Sequence, residues 1–296
     1  MANRVAVIGC GVMGGAIGTR LREVGETLTV FDIDETRMQA LVDRGAVAAR
    51  SASEAAARSD YVILSLNSAA IVRDAVFGAH GAAAGANPGT MIIDMSSIDP
   101  PSTRTLAADA ARKRLRWVDC PLSGGAPRAL TGTLAVMAGG TAEDYEASKA
   151  VMRHLCANFT HMGPSGAGQT TKLINQVLCA LHFMAVAEAT RLAQDAGVDA
   201  TKIPQALGGG RADSAIPQEF MVKFANRDYT PAGRIDNMVK DLNGVQDLAR
   251  VTGTAMPLTA ACAEIHRLLD SAGLGAADNA ALMKYFEGPG REGIPT

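Results

Sequence analysis

RVAVIGCGVMG, residues 4–14, is the stretch on which the reading of this 296-residue chain turns. Residues 4–9 are apolar, rich in β-branched side chains and closed by glycine, the pattern of a buried strand. From residue 12 to 24 the apolar positions recur at helical spacing. Gly9, Gly11 and Gly14 form G-x-G-x-x-G at the junction. Gly9 permits a tight turn, Gly11 lets backbone approach a pyrophosphate, and Gly14 lets the helix pack closely on the strand. The N–H groups of Val12 and Met13, at the positive end of that helix, would face the phosphates. Alone, such a motif also fits a flexible loop. Here a second strand, residues 27–31, ends at Asp32, 18 residues beyond Gly14. That is close to the ~20 at which a carboxylate takes the adenosine ribose. The stretch reads as a dinucleotide site.

Asp32 also bears on which dinucleotide. A carboxylate accepts hydrogen bonds from two ribose hydroxyls and repels a 2′-phosphate. Asp34 and Glu35 add negative charge, which Arg37 partly offsets. An NADP site usually carries its arginine immediately after the strand. The expectation is NAD preferred, with NADP possible. The plainer alternative is that Asp32 caps the next helix.

Working outward, short apolar runs alternate with helical patterns. Strands are expected at 61–66, 90–95, 116–119 and 135–138, and a second helix at 35–44. This alternation implies a parallel sheet covered on both faces: an α/β, doubly wound Rossmann domain over residues 1–164. Beyond about Gly168 the strand patterns stop. Residues 169–196 form one long apolar helix, expected to be central and buried. Helices follow at 203–207, 217–226, 236–252, 256–272 and 277–286, giving an all-helical domain over 165–296. The tail 288–296, GPGREGIPT, is expected to be mobile.

Composition narrows the class. Lys and Arg number 28 against 30 Asp and Glu, so the formal charge is −2. Such a chain has no overall attraction to nucleic acid or anionic lipid, and 4% aromatics offer no stacking platform. Its five cysteines are scattered, with no C-x-x-C pair. Neither a disulfide framework nor a metal site is expected, and a reducing, cytoplasmic setting fits. No run reaches the ~18 uninterrupted apolar residues of a membrane span.

Three further segments carry a resemblance. They are DCPLSGG at 119–125, GPSGAGQTTKLIN at 163–175 and KDL at 240–242. In order and spacing they are similar to the β-hydroxyacid dehydrogenases, which include 3-hydroxyisobutyrate dehydrogenases and tartronate semialdehyde reductases. The resemblance spans nearly the whole chain and implies a C-terminal domain like that of 6-phosphogluconate dehydrogenase. It also implies hydride transfer between NAD(P) and a small 3-hydroxy acid, or the matching semialdehyde or keto acid.

On that basis Lys172 is the acid/base. It would take the hydroxyl proton during oxidation and return it during reduction. Free lysine, with a pKa of about 10.4, is already protonated for reduction; oxidation needs that value lowered by burial and by a positive nicotinamide. Asn175, three residues on and on the same helix face, offers a donor and an acceptor to orient substrate and lysine, or ties the helix to a loop. Ser123, Gly124 and Gly125 would hold the substrate carboxylate with uncovered N–H groups and a hydroxyl, unless they form a plain turn. The resemblance puts Lys240, Ser96, Leu66 and Asn67 on the cofactor. Asn67 replaces a proline frequent in the family, and Lys240 with Asp241 also reads as a solvated pair. Arg128 stands where many members have glycine, and enters the substrate mouth or turns to solvent.

Rival readings are an imine reductase on the same scaffold and a non-catalytic NAD-binding regulatory protein. Imine reductases usually place another residue at the position of Lys172. Residues 206–214, ALGGGRADS, resemble tartronate semialdehyde reductases and threonate dehydrogenases. A homodimer or homotetramer is expected, built partly on the long helix. His182 on that helix reads as a core or interface residue.

Overall fold

The computed structural model describes residues 2–287, so the tail 288–296 lies outside the described residues. The chain divides between Lys172 and Leu173 into two compact units.

The first unit follows the alternation in the sequence. In order come β1 (Arg4–Ile8), α1 (Val12–Glu23), β2 (Thr27–Phe31), α2 (Gln39–Val42), β3 (Val47–Ala48) and α3 (Ala52–Ala57). Then come β4 (Tyr61–Leu64), α4 (Ala69–Phe77), α5 (Ala82–Gly85), β5 (Met91–Asp94) and α6 (Pro100–Arg112). β6 (Arg116–Asp119), β7 (Leu122–Ser123), α7 (Gly125–Thr131), β8 (Leu134–Gly139), α8 (Ala142–Met152) and β9 (Cys156–Gly163) complete it. The sheet order is β3-β2-β1-β4-β5-β6-β8-β7, with β9 on β8. Strands β1 to β6 pair in parallel, whereas β8 runs antiparallel to β6 and β7.

β1 shows why the sheet is covered on both faces. Val5 and Val7 join Ile17 and Leu21 of α1 in one core; Ala6 and Ile8 join Val72 and Leu106 in the other. Successive side chains point to opposite faces, so a strand buried twice must be apolar throughout.

The second unit is helical. α9 (Ala167–Asp195) begins in the first unit and runs into it. α10 (Ile203–Leu207), α11 (Ala215–Asn226), α12 (Ile235–Thr252), α13 (Pro257–Leu269) and α14 (Leu282–Glu287) follow. Phe183 packs edge-on against Phe220 at 4.5 Å, within a core that includes Phe224, Met238 and Leu242. Asp278, wholly buried, ties the unit together. It accepts from the N–H groups of Gly233 (2.9 Å) and Ala280 (3.0 Å) and pairs with Lys223 at 3.1 Å.

Three expectations change. The helix at 35–44 is broken, because Asp34 accepts from Thr36 N at 3.1 Å and forces a tight turn at Glu35–Arg37 before α2 starts. The strands β3, β7 and β9 lack a clear apolar run, and β9 alternates mostly half-buried and exposed positions. α9 is not buried all round. Ala180, Phe183 and Ala187 face the core, while Ile174, Leu178 and Leu192 on another face are 54, 54 and 70% exposed. Both faces are apolar, so composition alone could not tell them apart. By length and composition alone α9 is long and apolar enough to cross a membrane.

Candidate active site

The glycine loop has the geometry its spacing requires. Gly9 has φ +90°, and a Cβ there would lie 2.4 Å from Ser65 O. At Gly14 a Cβ would lie 1.8 Å from Gly9 O, so helix and loop are in backbone contact. Gly11 differs: among the described residues nothing lies within 4 Å of its would-be Cβ. It opens α1 with no side-chain cap, and Val12 beside it is 82% exposed. Open space over an uncapped run of N–H groups fits a pyrophosphate.

Asp32 is buried and holds this loop in place. Oδ2 accepts from Cys10 N at 2.7 Å and Oδ1 from Asp34 N at 2.9 Å. An ionised carboxylate has about four lone-pair positions, so each oxygen keeps one for a ribose hydroxyl. Ile33, the next residue, is 93% exposed and occupies the position where an arginine would serve a 2′-phosphate. Burial and the nearby Asp32 carboxylate push the Cys10 thiol up to about 12, so it stays neutral.

A second group lies at the carboxyl ends of β4, β5 and β6. Buried Ser96 accepts from Leu66 N through its hydroxyl at 3.0 Å and donates its own N–H to Asp94 Oδ1 at 3.0 Å. Asn67 is exposed beyond Leu66. Gln169, in the first turn of α9, donates to Ser96 O at 2.7 Å and accepts from Ile98 N at 3.3 Å. Asp119, at the end of β6, takes the N–H groups of Gly166 at 2.8 Å and Gln169 at 3.1 Å. These groups would otherwise be orphans at a helix start. Two side chains thus fix the first turn of α9 to the strand ends. Lys172 follows Gln169 by three residues and leaves the helix on the same side. Lys172 is half-buried there.

Asp94 and Asp119 are register partners on adjacent strands, both fully buried. Burial, with Asp119 alongside, raises Asp94 to about 7, and among the described residues its buried Oδ2 has no hydrogen-bond partner. Burial also raises Asp119, against the opposing pull of the N–H groups it accepts.

Ser123 ends β7, half-buried, and Gly124 and Gly125 follow with φ +123° and +67°. Two consecutive positive φ values exclude side chains here and leave the backbone bare. Arg128 lies over this loop: a Cβ on Gly124 would sit 2.5 Å from Arg128 Cδ.

In the second unit Asn175 donates through Nδ2 to Gln176 Oε1 at 2.9 Å and approaches Cys179 Sγ at 3.5 Å. Gln176 donates through Nε2 to Asp241 Oδ2 at 2.6 Å, and Lys240 Nζ lies 3.6 Å from Asp241 Oδ1. Asp241 can only accept, so Gln176 must turn its nitrogen to it and its oxygen to Asn175. Asn175 then spends both hydrogens within the chain. Of the donor and acceptor its sequence offered, the acceptor Oδ1 remains.

The sequence did not single out Asp119, Gln169 or Gln176 as site residues. DCPLSGG contained Asp119, but no local pattern shows that it caps a helix 47 residues later. Two histidines have structural uses: His154 lies 3.3 Å from Glu26, and His161 bonds Gly140 O at 2.9 Å and stacks on Tyr145. His182 is exposed, so it is not a core residue.

Comparison with known proteins follows the same division. Residues 4–163 match the profile described as the NAD binding domain of 6-phosphogluconate dehydrogenase. Residues 166–286 match that described as NAD-binding of NADP-dependent 3-hydroxyisobutyrate dehydrogenase. The chain is 32% identical to an L-threonate dehydrogenase of Cupriavidus necator, covering 97% of each. To an NAD-dependent L-serine dehydrogenase of Pseudomonas aeruginosa it is 33% identical, over 96% of this chain and 98% of that one. The structure of a Mycobacterium tuberculosis 3-hydroxyisobutyrate dehydrogenase with L-serine superposes with TM-score 0.88 at 29% identity, covering 97% of this chain and 99% of that one. An imine reductase of Pseudomonas sp., at 24% identity and TM-score 0.64, shares the fold alone.

Proposed function

This chain belongs to the β-hydroxyacid dehydrogenase family, and from that premise we propose that it moves a hydride between NAD and a small 3-hydroxy acid, with Lys172 as acid/base. The observation that carries the reading is the double anchor of α9. Asp119 and Gln169 fix its first turn at the strand ends, and Lys172 leaves the helix on that same side. Sheets of this kind bind dinucleotides at their carboxyl ends.

Bound NAD would supply the hydride acceptor. Gly9, Gly11, Val12, Met13 and Gly14 would hold its phosphates, Asp32 a ribose, and Leu66, Asn67, Ser96 and Lys240 would line the rest. Ser123, Gly124 and Gly125 would hold the substrate carboxylate with bare N–H groups and the serine hydroxyl. Lys172 Nζ takes the hydroxyl proton in oxidation and returns it in reduction. Asn175, reduced to an acceptor, takes a hydrogen bond from the substrate hydroxyl or the lysine ammonium. NAD is preferred because Asp32 and the exposed Ile33 offer a 2′-phosphate no cation immediately after β2.

The apolar stripe of Ile174, Leu178 and Leu192 supports a homodimer or homotetramer, which light scattering would detect; a monomer at all concentrations would reject it. Five scattered cysteines with no C-x-x-C spacing suit a reducing, cytoplasmic setting. The function itself is tested by following NAD and NADP reduction with 3-hydroxyisobutyrate, glycerate, threonate and serine. Turnover of at least one acid, faster with NAD, is expected; inactivity with all four would oppose the reading.

A further inference from the structure

Resting on the reading of Ser123, Gly124 and Gly125 as the loop for the substrate carboxylate, we propose that Arg128 adds a second anion site beside it. The substrate class is then a small 3-hydroxy acid that carries a further negatively charged group.

Arg128 stands four residues after Gly124, within α7. Helical side chains lean toward the helix N-terminus, which directs a long stem at this position back over the loop. The contact is direct. A Cβ on Gly124 would lie 2.5 Å from Arg128 Cδ and 3.0 and 3.1 Å from its Cβ and Cγ. Position 124 must therefore be glycine for two reasons: its φ of +123° and the arginine stem lying across it.

The head group follows one bond beyond Cδ, so docking the stem holds the guanidinium at the loop. Among the described residues it makes no ion pair and no hydrogen bond; the backbone carbonyl of Arg128 is what is engaged, by Thr133 N at 2.8 Å and by the hydroxyls of Thr131 at 3.2 Å and Thr133 at 3.5 Å. Several other arginines of this unit are paired. Arg4, Arg73 and Arg116 each lie against an aspartate. A stem already packed has lost part of its rotamer freedom, so less is lost when the head binds. A planar guanidinium suits carboxylate or phosphate through two parallel hydrogen bonds. The loop's N–H groups and the Ser123 hydroxyl serve one carboxylate, which leaves the guanidinium for another anion.

A matched pair of substrates tests this. 3-Hydroxyisobutyrate has one carboxylate; 2-(hydroxymethyl)glutarate keeps the same hydroxymethyl acid core and replaces the methyl with a chain ending in a second carboxylate. The distal methyl ester of the latter is the neutral control. Initial rates with NAD give kcat/KM for each in wild type, Arg128→Gln and Arg128→Ala. The wild type is expected to favour the dianion over its ester by tenfold or more, and both variants to lower the dianion-to-monoanion ratio at least tenfold. Taking the ratio within one protein cancels any general loss of folded enzyme. An unchanged ratio, whether both substrates suffer equally or neither does, overturns the second site. So does a wild type indifferent to the distal charge. A wild type inactive on every hydroxy acid would instead bring down the dehydrogenase reading beneath it.

Discussion

Gln176 donates to the Asp241 carboxylate across 2.6 Å, and this one bond fixes the polarity of the amide before it. Gln176 Oε1 is turned to Asn175, whose nitrogen then faces inward. Asp241→Asn removes the constraint, because an amide accepts Gln176 either way round. A charge-assisted bond is worth about 1.5–3 kcal/mol, and we expect about half of it to be felt in turnover, a fall in kcat of about 3- to 10-fold. The dissociation constant for NAD, read by fluorescence titration, should change less than kcat. Wild-type turnover in the variant would show that Asn175 needs no such fixing.

Gly11 and Gly14 should respond oppositely to the same added methyl. Gly11→Ala meets no protein atom and has an ordinary φ of −64°, so Tm without coenzyme should hold while KM for NAD rises tenfold or more. Gly14→Ala drives a methyl into Gly9 O, and Tm itself should fall by several degrees. Thermal scans with and without NAD separate the two.

Ile33→Arg tests coenzyme choice. The side chain is exposed, so the change should leave Tm nearly untouched. It places a cation after β2, and kcat/KM for NADP relative to NAD should rise about tenfold or more. An unmoved ratio would locate the discrimination elsewhere.

Asp94 makes stability depend on pH. Its folded value of about 7 lies above the ordinary 3.8, so the stability it contributes is full below 3.8 and lost as pH rises through about 7. Burial and Asp119 beside it oppose the ionised form, while the Ser96 side chain and N–H favour it. Asp94→Asn is neutral throughout and keeps an oxygen for that N–H. Its Tm relative to wild type should climb between pH 5 and 8 by a few degrees, on the order of 1–3 kcal/mol, and level off above pH 8. A flat difference would mean Asp94 is ionised at no cost.

Local pattern made half of this protein legible. Gly9 and Gly14 were legible because the tight turn and the close packing of helix on loop each demand glycine at a short, fixed spacing. β1 was legible because a strand buried on both faces is apolar throughout. β9 was not, since an exposed face erases that run, and the helix at 35–44 broke on a single Asp34–Thr36 hydrogen bond. The two faces of α9 differ in what covers them, not in polarity. Gln176 and Asp241 lie 65 residues apart, and nothing local to either names its partner.

Lys172→Ala, set against wild type in single-turnover oxidation of the best hydroxy acid, tests the central claim most directly. Removing a positioned acid/base typically costs about 10²- to 10⁴-fold. The account predicts a loss of hydride transfer in that range, with the dissociation constant for NAD within about threefold of wild type. Hydride transfer at near the wild-type rate in the alanine variant would contradict it.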